Sequence, residues 1–316
     1  MAQPGSFLRT GRAGVVRVVA SEDALATFAW LRPVPWPSWL YRLTSRPLAI
    51  GLAVLGVALI VASATFVPRL SAGLTELHLD RSNLMFDEGF ESDSLDTTVW
   101  NTCYWWECTI ASNDELQWYE SSQVSAADGQ VHLTAEALPV KTPGGRTFPY
   151  RSGMISSGPT ERGGKPRFAF TYGTVEARLH VPAGKGLWSA LWMLPAFGDS
   201  RPEVDIVEVL GDDTRTSYQT FHRKGRDSKP FEHAKRGSDL ADGWHVYGLK
   251  WLPGELLWYI DGKRVFTVKS KDVPDEPMYL IANLAVGGRW PGSPNNFTQF
   301  PASMSVDYIR VRAMDR

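Results

Sequence analysis

Three acids stand close together in Pro202-Glu203-Val204-Asp205-Ile206-Val207-Glu208. Two carboxyl groups about 5–5.5 Å apart can break a glycosidic acetal in two displacements, one serving as nucleophile and the other as acid and then base. On this reading Glu203 and Glu208 are the pair. Asp205 between them would hydrogen-bond Glu203, while crowding raises the pKa of whichever group must stay protonated. The spacing sets a condition. Side chains alternate along a regular strand, so Glu203 and Asp205 share a face and Glu208 falls on the other. A β-bulge between Asp205 and Glu208 would restore the parity and bring all three to one face. Val204, Ile206, Val207 and Val209 predict a strand buried on at least one side, where acids without basic partners are costly unless chemistry retains them. Solvated positions on an ordinary exposed strand are the alternative.

The elements that would carry these acids read as β-structure. Residues 131–135, 173–181, 256–260 and 304–311 are short apolar alternations rich in β-branched and aromatic side chains. Asp261-Gly262 supplies the positive φ angles of a tight hairpin joining LLWYI to RVFTV. No stretch after Pro68 sustains an amphipathic helix, which predicts an antiparallel sandwich or barrel. Of the 13 tryptophans, ten lie from Trp100 to Trp290, where flat rings fill a core or stack on sugar faces. A net charge of −1 argues against nucleic acid and suits a neutral polymer. Cys103 and Cys108 have no further cysteine or clustered histidine to complete a zinc site, which favours a local disulfide in an oxidising compartment. His222 and His245 lack the spacing of a metal pair.

Ahead of this lies an uncharged run at 48–67, LAIGLAVLGVALIVASATFV, long enough to cross a bilayer as a single transmembrane helix. Arg9, Arg12, Arg17, Arg32, Arg42 and Arg46 precede it against Glu22 and Asp23, which places residues 1–47 in the cytoplasm as a tail of little structure. A cleaved signal sequence is the alternative, because Ala62-Ser63-Ala64 resembles a processing site; the outer part would then be secreted rather than anchored. Residues 68–84 read as a spacer.

PEVDIVEVLGD resembles the signature of glycoside hydrolase family 16 in its bulged, laminarinase-like form. NDELQWY (113–119), YGTVEARLHVPAGKGLWSALWMLP (172–195), WHVYGLKWLPGELLWYIDGKRV (244–265) and NLAVGGRWPGSPNNFTQFP (283–301) are similar to the family in the same order. The likeness spans about residues 86–312, so 85–316 is expected to be the catalytic domain. It implies an all-β, concanavalin-like jelly-roll sandwich with an open cleft and no metal in the chemistry. It also implies Glu203 as nucleophile, Asp205 as its partner and Glu208 as acid/base. Trp188 and Trp192 would flank the reacting sugar, Trp290 would wall a subsite, and Asn113, Arg151 and His222 would donate to sugar hydroxyls. Core packing for the tryptophans, a surface place for Arg151 and a buried hydrogen-bonded role for His222 are the alternatives. A structural calcium on Glu88 and Asp307 is implied too, although Gly89-Phe90 stands where the family usually has Asn-Gly. Gly198 to Pro202 replaces the Trp-Pro-x-x-Gly common in laminarinases, which leaves the sugar identity open. The expected activity is a monomeric, retaining endo-β-glycanase of β-1,3- or mixed β-1,3/1,4-glucan. Trimming or transglycosylation of exopolysaccharide or galactan is the alternative within the fold. A non-catalytic carbohydrate-sensing module is the alternative from another class.

Overall fold

The computed structural model describes residues 83–198, 201–225 and 228–314. The expected tail, membrane segment and nearly all of the spacer lie outside the described residues. Among the described residues no helix is long and apolar enough to cross a membrane.

The strands are β1 (Leu84–Glu88), β2 (Gln117–Tyr119), β3 (Val124–Ala127), β4 (Gln130–Ala135), β5 (Val140–Lys141) and β6 (Thr147–Phe148). They continue with β7 (Tyr150–Ser152), β8 (Met154–Ser156), β9 (Gly173–His180), β10 (Leu187–Pro195), β11 (Glu203–Leu210) and β12 (Thr216–His222). The last are β13 (Phe231–Arg236), β14 (His245–Leu252), β15 (Glu255–Ile260), β16 (Lys263–Lys269), β17 (Met278–Val286) and β18 (Ala302–Arg312). They form an eight-stranded sheet, ordered β16-β15-β14-β9-β18-β4-β3 with β1 paired to β18, a six-stranded sheet ordered β13-β12-β11-β10-β17-β8, and two small pairs, β2-β7 and β5-β6. All-β architecture is therefore as expected, and the four strands anticipated from alternation are β4, β9, β15 and β18.

Alternation shows most plainly in β9, where Val175, Ala177 and Leu179 are buried while Thr174, Glu176 and Arg178 between them are partly exposed. Such inward-facing sets from both sheets interdigitate as one core. The anticipated hairpin joins β15 to β16, with Asp261 at φ 48° and Gly262 at φ 72°. Strand β17 is buried on both faces. Its Met278, Leu280, Ala282, Leu284 and Val286 enter the main core, whereas Tyr279 and Ile281 join a second cluster with Tyr104, Tyr119 and Trp192. The chain ahead of β2 thus covers part of the outer face of the six-stranded sheet.

The bulge demanded by the acidic spacing is present. Along β10 the partners run Leu191 to Val207 and then Trp192 to Asp205, skipping Ile206. Along β12 the register shifts between Asp205, opposite Thr220, and Glu208, opposite Tyr218. Ile206 and Val207 consequently both point into the main core, with Val204 and Val209, and the three acids share the outer face. The broken ladder is tied to the opposite sheet, because Trp258 on β15 donates its indole N–H to the carbonyl of Asp205 at 2.8 Å. Trp258 is fully buried, so no water can replace that donor. Trp258→Phe keeps most of the apolar packing and leaves the carbonyl unsatisfied. It is expected to lower the unfolding free energy by roughly 1–3 kcal/mol in denaturant titrations, and a change within about 0.3 kcal/mol would show that the bond does not hold the bulge.

Candidate active site

The outer face of the six-stranded sheet carries a cleft of about 1020 Å³, lined from β10 by Trp188 and Trp192, from β11 by Glu203 and Glu208, and from β12 by Tyr218 and His222. Glu203, Asp205 and His222 converge: their ligating atoms all lie within 4.8 Å of one another. The register explains this, since His222 is the Cα partner of Glu203 across β11 and β12. His222 Nε2 stands 3.3 Å from Asp205 Oδ2 and 3.6 Å from Glu203 Oε1. Glu208 sits apart from this cluster and accepts a hydrogen bond from Trp188 Nε1 at 3.1 Å.

Crowding sets the order in which the acids ionise. Burial, and then the neighbouring Asp205 charge, push Glu203 from 4.5 to about 8, with His222 and Arg201 pulling the other way. Glu208 is pushed well above the usual carboxylate range by burial, then by Asp205 and Glu203, with the Trp188 hydrogen bond opposing the rise. Burial also raises Asp205 against the pull of His222. For His222 burial acts downward, but the Asp205 hydrogen bond and the charges of Asp205 and Glu203 outweigh it, so the imidazole titrates above its ordinary value. The cationic ring therefore favours an ionised Glu203 while Glu208 keeps its proton longest. One carboxylate and one carboxylic acid on a single strand face is the combination that double displacement needs.

The tryptophans hold more than one position in this frame. Trp192 is nearly buried and donates to Asn283 Oδ1 at 2.7 Å, and Asn283 in turn donates to the Tyr119 hydroxyl at 3.0 Å. Trp290 is 43% exposed and stands edge-on to Trp188 and Tyr218, with centroids 5.2 and 4.8 Å away. Its loop is fixed to the segment bearing Asn113, because Arg289 N–H donates to the Asn113 carbonyl at 2.9 Å. Gly288 at φ 118° permits this approach, since a Cβ there would sit 2.8 Å from the same oxygen. Asn113 lines the cleft, with its amide donating to the buried Glu115 at 3.0 Å.

Three expectations meet a different arrangement. Arg151 is not in the cleft: parallel pairing of β2 with β7 sets its guanidinium 3.4 Å from Glu120 and donating to the Pro139 carbonyl at 3.2 Å. His222 turns its Nε2 to the acids rather than presenting it to a sugar. Glu88 accepts from Phe90 N–H and the Trp100 indole at 2.8 and 3.0 Å, and Asp307 pairs with Arg178 at 2.7 Å. As placed, Asp307 is already neutralised by a guanidinium and Glu88 is used by two N–H donors, an arrangement that does not favour a shared calcium ion. Asn283, Tyr218 and Trp258 escaped the sequence reading. Asn283 alone left a trace, as a lone amide in the apolar run MYLIANLAV.

Residues 112–310 match the sequence profile described as Glycosyl hydrolases family 16. The chain belongs to this family. Among relatives, the endo-1,3-1,4-beta-glycanase EglC of Rhizobium meliloti is 33% identical over 279 residues, covering 81% of this chain and 57% of that protein. The endo-1,3-1,4-beta-glycanase ExsH of the same organism is 32% identical, covering 82% of this chain and 58% of its own length. The chain thus spans little more than half the length of these relatives. The solved endo-beta-1,3-glucanase of Pyrococcus furiosus superimposes with a TM-score of 0.66 at 32% identity, covering 73% of this chain and 94% of that one. The laminarinase catalytic domain of Thermotoga petrophila gives the same TM-score and identity over 74% and 98%.

In this member of glycoside hydrolase family 16 the crowded acids should register in stability as well as in activity. Glu203 has a folded pKa above its unfolded value, so the folded state binds the extra proton between pH 4.5 and about 8, and stability falls as pH rises through that window. Glu203→Gln should therefore melt roughly 2–4 °C above the parent at pH 8 and lose that advantage toward pH 4. A constant offset at all pH values would show that the carboxylate is not strained. His222→Asn removes the cation facing Glu203 and should move the ascending limb of kcat/KM to higher pH; a limb that moves to lower pH would contradict the electrostatic assignment.

Proposed function

We infer that the chain is a retaining endo-β-glycanase acting on β-1,3- or mixed β-1,3/1,4-glucan. The observation carrying this reading is the bulge at Ile206, which turns Glu203 and Glu208 to one face of an open cleft with their ionisation ordered. Ionised Glu203 attacks the anomeric carbon, the glycosidic C–O bond breaks, and Glu208 delivers its proton to the departing oxygen. Glu208, now anionic, takes a proton from water; the hydroxide adds to the anomeric carbon and the ester bond to Glu203 breaks, which restores both groups. The His222 cation, itself held by Asp205, favours the ionised form of Glu203 against the opposing charge of Asp205. Trp188 steadies Glu208 through the indole hydrogen bond, while Trp192, Trp290 and Asn113 offer two apolar ring faces and an amide to a sugar chain. The named activities of the Rhizobium, Pyrococcus and Thermotoga relatives support a β-glucan substrate.

The N-terminal run supports a further part of this reading: residues 48–67 tether the domain outside the cytoplasm. Extraction of membranes with alkaline carbonate should leave the full chain in the pellet, and its release to the supernatant would point to a cleaved leader.

Digestion of purified domain with a panel of β-glucans and galactans should yield oligosaccharides of mixed length from β-1,3- or mixed-linkage glucan. Glu203→Gln should lower kcat by at least about 10³-fold with binding retained. Cleavage of galactan alone would overturn the substrate, and an active Glu203→Gln would overturn the mechanism.

A further inference from the structure

Cys103 and Cys108 are bonded, with Cα atoms 4.8 Å apart, and they pinch Tyr104-Trp105-Trp106-Glu107 into a compact loop. The core absorbs only the first of its three aromatic rings. Trp106 lies flat on Tyr104, with centroids 4.5 Å apart and an interplanar angle of 4°, and remains 36% exposed. Trp105 stands edge-on against Trp106 at 5.3 Å. Tyr104 itself is buried and meets Trp192 edge-on at 6.0 Å, so the exposed ring is one aromatic removed from the cleft wall.

The loop also faces two spaces at once. Trp105 and Trp106 border the main cleft and, on their other side, an open depression of about 370 Å³ that Trp118 and the β5–β6 turn complete. Its far edge is tied down by an ion pair between Glu107 and Arg146 on that turn. With one face of Trp106 packed on Tyr104, Trp105 edge-on beside it and Trp118 across the depression, the loop presents neighbouring aromatic rings to solvent, the kind of contiguous apolar patch that marks a binding surface. A pyranose ring suits it, having an apolar C–H face of similar breadth and hydroxyls at the rim that stay hydrated. Trp192 and Tyr279 bring the loop to the β10 and β17 side of the cleft, while His222 and Glu232 mark the β12 and β13 side. A chain lying over Glu203 and Glu208 across the strands would leave the cleft over this loop.

We propose that the disulfide-closed loop is a distal sugar-binding platform, with Trp106 and Trp105 carrying a β-linked glycan out of the cleft and into the depression beside Trp118. The platform makes the protein select long chains over short oligosaccharides. This rests on the reading of the chain as an endo-β-glycanase.

The test is chain-length dependence. With the wild-type domain, kcat/KM on β-glucan oligosaccharides should climb steadily from the tetrasaccharide to the octasaccharide. Trp106→Ala should lower the octasaccharide value about tenfold, chiefly through KM, equivalent to the loss of one favourable contact. The shortest oligomer cleaved should stay within about twofold of its wild-type value. Trp106→Phe, which keeps a smaller ring, should recover part of the loss, and Cys103→Ser with Cys108→Ser should reproduce the alanine pattern by freeing the loop. Matching far-ultraviolet dichroism and melting temperatures for Trp106→Ala would exclude misfolding. An unaltered length dependence, or an equal fall at every length, overturns the platform. A wild-type domain that cleaves no β-glucan would instead overturn the glucanase reading. The platform is then tested by retardation of the Glu203→Gln protein in gels containing β-1,3-glucan: Trp106→Ala should abolish it, and unchanged retardation overturns the proposal.

Discussion

A strand has a period of two, and the site depends on one local exception to it. With Ile206 and Val207 both turned inward, β11 changes phase between Asp205 and Glu208, and the carboxyl groups on either side of the change come to face the same cleft. The exception is held from three directions. β10 and β12 pair on either side of the irregularity, and the fully buried Trp258 reaches across from the opposite sheet to satisfy the Asp205 carbonyl. Bulges re-aim side chains next to active sites in many sheets; here the re-aimed side chain is Glu208, and the cross-sheet indole couples its placement to the packing of the whole core.

The same arrangement concentrates negative charge where solvation is poor. Desolvation lifts Glu203, Asp205 and Glu208 together, and the field is asymmetric because His222 and Arg201 act on Glu203 while Glu208 meets an indole N–H and the charge of Glu232. Position on the strand thus orders ionisation: Glu203, at the end near His222 and Arg201, gives up its proton before Glu208. Stability is sacrificed at this point, and the large apolar core beneath it, with Trp100, Trp251, Trp258 and Tyr247 fully enclosed, is what tolerates the strain.

The strand pattern, the Asp261-Gly262 hairpin and the bulge were legible in the sequence because each follows from local periodicity or local turn chemistry. Parity alone required an extra residue between Asp205 and Glu208. The pairing of Cys103 with Cys108 was legible by elimination. Other features depend on contacts between distant segments, about which local patterns say nothing. Arg151 leaves the cleft because β7 pairs in parallel with β2, thirty-odd residues earlier. His222 serves the acids because register puts it opposite Glu203, and Asn283 matters because β17 lies beside Trp192. Trp106 could equally have been core; only its place on Tyr104 at the cleft edge marks it as a binding surface.

The central claim is that the phase change in β11 lets Glu203 and Glu208, from one sheet face, flank the scissile bond as nucleophile and acid. Proton NMR of the first sugar released during hydrolysis of β-glucan reads this most directly, before mutarotation mixes the anomers. The account predicts that the β-anomer appears first and the α-anomer grows in later. Initial release of the α-anomer would mean single displacement by water, and would contradict the assignment of Glu203 as a covalent nucleophile.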